Sequence, residues 1–201
     1  ASEHIAEPAY WNSTEKVLYL YDDGGQASFR SDIWNPDDSE LLTGLAKTDN
    51  VTVQGTASGE TFNLNVDRSG SGSYTGDWTI DLKGGNDTLN SAKLKDGDSI
   101  DMGAGDDSVS VMLTGSNGTP AFGSANITKL DGGAGTDTLS FEESSPGANS
   151  TLSLTTANAS NFENLTGGSN AETLNGDANA NVLKGKGGAD TLNGNGGNDT
   201  L

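Results

Sequence analysis

The chain of 201 residues has no cysteine and a single histidine. No disulfide framework or thiolate metal site can therefore form. His4 stands alone near the start of the chain, where order is least demanded, and offers no catalytic centre. Cations are scarce too: 10 Lys and Arg face 29 Asp and Glu, for a formal net charge of −19. A field of that sign repels phosphate backbones and excludes nucleic acid as a partner. No apolar run approaches the ~20 residues of a membrane-spanning helix, so no membrane insertion is expected. Only 31% of the residues are hydrophobic. A chain this acidic and this poor in apolar side chains struggles to offset its ordering entropy by burial alone.

What the chain does have is glycine, 29 of them, and a repeat. Leu165, Leu174, Leu183, Leu192 and Leu201 recur at every ninth residue, separated by GGSNAETL, GDANANVL, GKGGADTL and GNGGNDTL. A fixed short period means one small structural unit stacked many times. In each unit the glycines permit a tight turn and a close backbone approach. The Asp supplies a hard anionic oxygen of the kind Ca²⁺ prefers. The Leu two residues on points inward from a short strand, and the Thr beside it points out. Two nonapeptides make one coil, so residues 18 apart stack: Glu172 over Asp190, and Asn181 over Asp199.

GGAGTDTL (132–139), GKGGADTL and GNGGNDTL resemble the nonapeptide of repeats-in-toxin (RTX) proteins, G-G-x-G-x-D-x-U-x with U apolar. That resemblance implies a Ca²⁺-bound parallel β-roll. The match is degenerate elsewhere: Asn181 replaces the Asp, Glu172 lengthens it, and the 176–178 stretch lacks the second glycine.

The same grammar runs upstream with interruptions. Val53 and Phe62, Ile80 and Leu89, Ile100 and Val109, and Leu130 and Leu139 are each nine apart around a Gly-rich acidic turn. The turns form a single expected ladder of metal ligands: Glu60, Asp87, Asp107, Asp137, Glu172 and Asp190. Asp81, Asp101 and Asp131 join it, and Asn181 and Asp199 belong to the tail. Several Ca²⁺ ions are expected. The stretches 64–78, 90–99, 111–128 and 140–162 are unequal returns between units, and they fall together on the opposite edge. In repeat architectures such insertions gather on one face, often the binding face.

The expected fold is all-β: a Ca²⁺-bound parallel β-solenoid or β-roll with irregular loops on one edge and a capping N-terminal segment. Three regions follow: 1–49 as cap or elaboration, 50–164 as irregular ligand-binding solenoid, and 165–201 as regular nonapeptide roll. Residues 1–49 carry Tyr10, Trp11, Tyr19, Tyr21, Phe29 and Trp34, a strand at 16–21, and a helix expected from Asp38-Ser39 through Leu45. A solenoid needs its open end covered, and this segment is suited to that. The chain starts without Met, with Ala1-Ser2 resembling a cloning remnant, and stops on a completed repeat. It reads as a piece of a longer protein.

For ligand contact the candidates are Tyr74 in SGSGSYTGD, Asn117 and Phe122 in NGTPAFGSAN, and Asp22 and Asp23 in a turn after the first strand. Exposed tyrosine is a common binding anchor. Trp78, two residues before Ile80, is expected in the core. Catalysis is not expected: the cations are unclustered, Glu142-Glu143 reads as a solvated loop, and neither H-E-x-x-H nor a nucleophile elbow in strand–turn–helix context is present. Ice binding would need flat matched Thr and Asn arrays on equal coils, and the coils here are unequal.

An elaborated solenoid running directly into regular nonapeptides resembles the peptide-binding module of large RTX adhesins. That resemblance implies type I secretion, a place at the bacterial cell surface, and a role in adhesion and biofilm. It also implies a Ca²⁺ that grips a protein partner's terminal carboxylate, with the module acting as a monomer. A lectin holding glycan hydroxyls on Ca²⁺, or a purely structural folding module, are the alternatives.

Overall fold

The computed structural model describes residues 9–20, 27–31, 46, 48–64, 75–113, 127–143 and 150–201. Among the described residues, seventeen strands lie in three sheets. Sheet A holds β1 (Ala9–Asn12), β2 (Val17–Leu20), β4 (Val51–Gln54), β6 (Trp78–Asp81), β8 (Ser99–Asp101), β10 (Lys129–Asp131) and β13 (Ala159–Ser160). Sheet B holds β3 (Ala27–Ser31), β5 (Glu60–Leu64), β7 (Thr88–Ala92), β9 (Ser108–Leu113), β11 (Thr138–Glu143), β14 (Asn164–Thr166) and β16 (Val182–Lys184). Sheet C holds β12 (Thr151–Ser153), β15 (Thr173–Asn175) and β17 (Thr191–Asn193). The chain alternates between sheets, and every strand pair except β1–β2 is parallel. This is a parallel β-solenoid, as the periodicity predicts.

The register explains why nine-residue spacing matters. Leu18, Val53, Ile80, Ile100, Leu130 and Ala159 stack in one inward column of sheet A. Phe62, Leu89, Val109, Leu139, Leu165 and Leu183 stack in the facing column of sheet B. All of these are buried. Side chains alternate across a strand, so one inward position per three-residue strand suffices for a continuous core. Trp78 is fully buried, as expected, with its ring 6.3 Å from that of Phe62.

Two features go beyond the sequence reading. β2 and β3 pair in parallel with β4 and β5, so they form the first coil of the solenoid itself, and antiparallel β1 lies along its outer edge. The coil also narrows partway along. Residues 151–160 contribute both β12 to sheet C and β13 to sheet A, joined through a 3-10 turn at Thr156–Asn158. Beyond this point the chain alternates only between sheets B and C. The wide upstream coils, 20 to 30 residues apart along the acidic edge, give way to the 18-residue coils of the tail. The helix expected from Asp38-Ser39 lies outside the described residues. Among those described, no helix is long and apolar enough to cross a membrane.

Candidate metal centre

Four passages from sheet A to sheet B, 55–60, 82–87, 102–107 and 132–137, turn through Gly-containing segments ending in an acid, and these acids stack. The Glu60 N–H donates to Asp87 Oδ1 (2.6 Å), the Asp87 N–H to Asp107 Oδ1 (2.7 Å), and the Asp107 N–H to Asp137 Oδ1 (2.8 Å). The Asp137 N–H donates to Glu163 Oε2 (2.8 Å). Each carboxylate thus holds the turn below it with one oxygen. Backbone bonds tie the turns together as well: Gly84, Ala104 and Ala134 bridge in parallel, and Gly85 and Gly105 donate to Ala104 and Ala134. Only glycine fits beside that central position. A Cβ on Gly133, whose φ is +98°, would sit 1.9 Å from the Gly103 carbonyl oxygen.

The second oxygens are what mark the site. Asp87, Asp107 and Asp137 are each at most 2% exposed, and their Oδ2 atoms are buried without a hydrogen-bond partner. A buried carboxylate oxygen with nothing to bind is costly. Burial foremost pushes the Asp87 carboxyl up to about 8, with repulsion from Glu60 and Asp107 adding to it against the N–H bond from Glu60. Burial likewise lifts Asp107 to about 6, helped by the nearby charges of Asp137 and Asp106. Asp137 moves the same way, from burial and the neighbouring Glu163, Asp106 and Asp131. No three acidic side chains converge on one point among the described residues. Carboxylates strung one per turn, next to glycine carbonyls, instead form a column of anionic oxygens separated by about one strand spacing. A hard divalent cation takes such mixed carboxylate and carbonyl oxygens. Bound there, it would neutralise the buried charge and crosslink adjacent coils.

The pH dependence follows with its sign. Folding raises these pKa values above the ordinary carboxylate value of 3.8, so in the metal-free protein the native state binds more protons than the unfolded one through that window. Stability in EDTA should therefore fall as pH rises from about 5 to 8. With Ca²⁺ the order should reverse, because the metal needs the deprotonated ligands and is displaced by acid. Thermal melts at pH 5, 6.5 and 8, with Ca²⁺ and with EDTA, check this; parallel trends in the two series would sink it.

The single expected ladder is in fact two. After Asp137 the column continues through Glu163, not Glu172: the Asn181 Nδ2 donates to the Glu163 carbonyl (3.1 Å), and the Asn181 N–H to Asp199 Oδ1 (3.0 Å). Glu172 and Asp190 stack on each other, the Glu172 N–H meeting Asp190 Oδ1 at 3.0 Å, but on the opposite edge between sheets B and C. The physical reason is the narrowing of the coil. In the 18-residue tail both edges carry a nonapeptide turn, whereas upstream only one does. Sequence reasoning missed Glu163 because NFENL has no glycine and lies outside the nonapeptide pattern. Its only signal was its place two residues before Leu165.

Asp81, Asp101 and Asp131 also stand elsewhere than expected. They stack in register on the outward row of sheet A, not in the turn column. Lys83 bonds Asp81, and Lys129 bridges Asp101 (2.5 Å) and Asp131 (3.2 Å). Asn161 Nδ2 adds a bond to Asp131 at 2.7 Å. These partly exposed carboxylates are matched by ammonium groups. A further acid, Asp98, was not singled out: fully buried, it accepts the Trp78 and Lys95 N–H groups (2.9 and 2.8 Å) and closes the 95–98 turn. The ligand candidates Asp22, Asp23, Tyr74, Asn117 and Phe122 all lie outside the described residues.

With that geometry in hand, residues 166–201 match the RTX calcium-binding nonapeptide repeat, in four copies. The matched stretch is the tail, which is similar to calcium-binding RTX repeats. Neither a curated protein nor a solved structure matches the chain. The RTX match begins where the coil has narrowed to sheets B and C. The glycine-lined cradle fits the ion there: a Cβ on Gly185 or Gly194 would lie 2.3 Å from Asp190 Oδ2 or Asp199 Oδ2. The stretch similar to RTX calcium-binding repeats thus continues a longer, irregular solenoid.

Proposed function

We propose that this RTX module is a non-catalytic, Ca²⁺-dependent ligand-binding unit of a large secreted adhesin at the bacterial cell surface, and that it grips the end of a protein or peptide partner. The observation that carries the reading is the unlikeness of the two solenoid edges. The described A-to-B turns are short and end in an acid, four of the five carry glycine, and they share one hydrogen-bonded column. Of the segments that leave sheet B, 65–77, 93–98 and 114–128 return to sheet A and 144–150 enters sheet C, and these four differ in length. A rigid, metal-stitched edge that displays unequal segments on its far side is how a scaffold presents a recognition surface. A protein of net charge −19 can still hold a carboxylate if a partly coordinated cation stands at the surface.

The test is a Ca²⁺-loaded screen on a peptide array with free C-termini and on a glycan array, each repeated in EDTA. Peptide hits that vanish both on amidation of the terminal carboxylate and in EDTA are the expected result. Glycan hits alone would make the module a lectin. Silence on both arrays would leave a structural role in folding on export, and would retire the binding claim.

A further inference from the structure

We infer that Asn181 is the joint through which calcium held in the tail stabilises the irregular solenoid above it. Along the main column the hydrogen bonds run in one sense. At four successive steps the N–H of one turn donates to the carboxylate of the next: Glu60 to Asp87, Asp87 to Asp107, Asp107 to Asp137, and Asp137 to Glu163. The step from Glu163 to Asn181 is reversed. The Glu163 N–H turns back to the Asp137 carbonyl (3.1 Å), and the Glu163 carbonyl accepts from Asn181 Nδ2 at 3.1 Å. Below Asn181 the usual sense returns, its N–H donating to Asp199 Oδ1 at 3.0 Å.

That reversal decides which residue fits. Asn181 is only 3% exposed, and its Oδ1 accepts the Asp177 N–H at 2.8 Å within its own turn. Both neighbours orient the amide, since exchanging its oxygen and nitrogen would set donor against donor and acceptor against acceptor. The acid that the other tail turns carry, as at Glu172, Asp190 and Asp199, would here press a carboxylate oxygen on the Glu163 carbonyl with no hydrogen between them. Asn181 therefore does what an acid cannot: it holds Glu163 of the solenoid above while its backbone is held by Asp199 below. A cation on Asp199 fixes the turn beneath Asn181, and that order passes to Glu163 and on to Asp137. A buried polar link of this kind is strong when every member is satisfied.

The inference rests on the calcium reading of the tail, and not on the loops binding any partner. Trp11, Trp34 and Trp78 all lie upstream, and 166–201 has no aromatic residue, so tryptophan fluorescence reads the upstream part alone. Asp190→Asn/Asp199→Asn removes the tail charges but keeps an oxygen for the Asn181 N–H. In Ca²⁺ it should lower the fluorescence-monitored thermal midpoint by about 2–4 °C, the shift of one net hydrogen bond in a domain of this size. In an Asn181→Asp background, which exchanges the donor for an acceptor, the same tail change should largely lose that shift. An equal shift in both backgrounds would mean that the coupling runs through the β14–β16 pairing, and the inference falls. It falls equally if the tail change leaves the parent's midpoint where it was. Amide hydrogen exchange on the tail-disabled protein decides the matter without Asn181→Asp. The Asp137 and Glu163 amides should exchange severalfold faster, while that of Gly167, which donates to the Lys184 carbonyl at the β14–β16 pair, should keep its rate. The opposite pattern overturns the joint. A parent protein that melts alike in Ca²⁺ and EDTA would overturn the calcium reading of the tail together with it.

Discussion

Asp107→Asn should lower the thermal midpoint of the Ca²⁺-loaded protein by about 5–10 °C, from one site's ~2.7 kcal/mol at hundredfold excess spread over a domain of this size. In EDTA the same substitution should leave the midpoint unchanged or raise it. The opposite signs come from the two jobs of this side chain. Its Oδ1 accepts the Asp87 N–H at 2.7 Å, and an amide oxygen keeps that bond. Its charge, buried near Asp106 and Asp137, is a burden without metal and a ligand with it. Removing the charge therefore relieves the apo protein and weakens the loaded one. Equal losses with and without Ca²⁺ would show that Asp107 is a structural hydrogen-bond acceptor and no more.

Gly133→Ala should cost about 2–5 kcal/mol, from ~1–2 for a left-handed backbone and ~1–3 for overpacking. The added Cβ would fall 1.9 Å from the Gly103 carbonyl oxygen, at a φ of +98°. That carbonyl accepts the Ala134 N–H at 2.9 Å, so it cannot move without opening the stack of turns. Gly187→Ala is the matched control. It too lies in a Gly-rich turn, but its Cβ would meet nothing nearer than 3.5 Å and its backbone is ordinary. It should change stability by no more than ~0.5 kcal/mol. Urea unfolding of both variants in Ca²⁺ checks the pair. If Gly133→Ala is as stable as the parent, the close stacking of the turns is not what the sequence protects.

Two opposing pressures meet in these turns. Close approach of the coils buries the carboxylates, and burial without a counterion raises their pKa. The hydrophobic columns tolerate this because each coil adds fully buried side chains such as Leu89, Val109 and Leu139, worth about 1.5–3 kcal/mol apiece. Toward the tail the columns thin. Leu192 is only partly buried and Leu201 is 64% exposed. The metal has the most to contribute where the apolar core has least.

The sequence by itself determined the strands, the inward columns and the acidic turns. Val53 with Phe62, Ile80 with Leu89, and Leu130 with Leu139 face the core because a nine-residue unit returns the chain to the same phase of the pleat. The glycines before each acid announced turns too close for side chains. Only the tertiary structure decided which turns share an edge. The coil loses its sheet A strand after β13, so the edge that upstream carries irregular returns becomes in the tail a second row of nonapeptide turns. That change sends Glu163 into the main column and moves Glu172 and Asp190 out of it. It depends on where unequal loops allow the next strand to pair, and spacing along the chain does not record that. The bridge from Lys129 to Asp101 was hidden for the same reason: the two meet only because a 28-residue excursion returns to the next strand. Local phase is written in the repeat, whereas the matching of charges across coils is set by stacking.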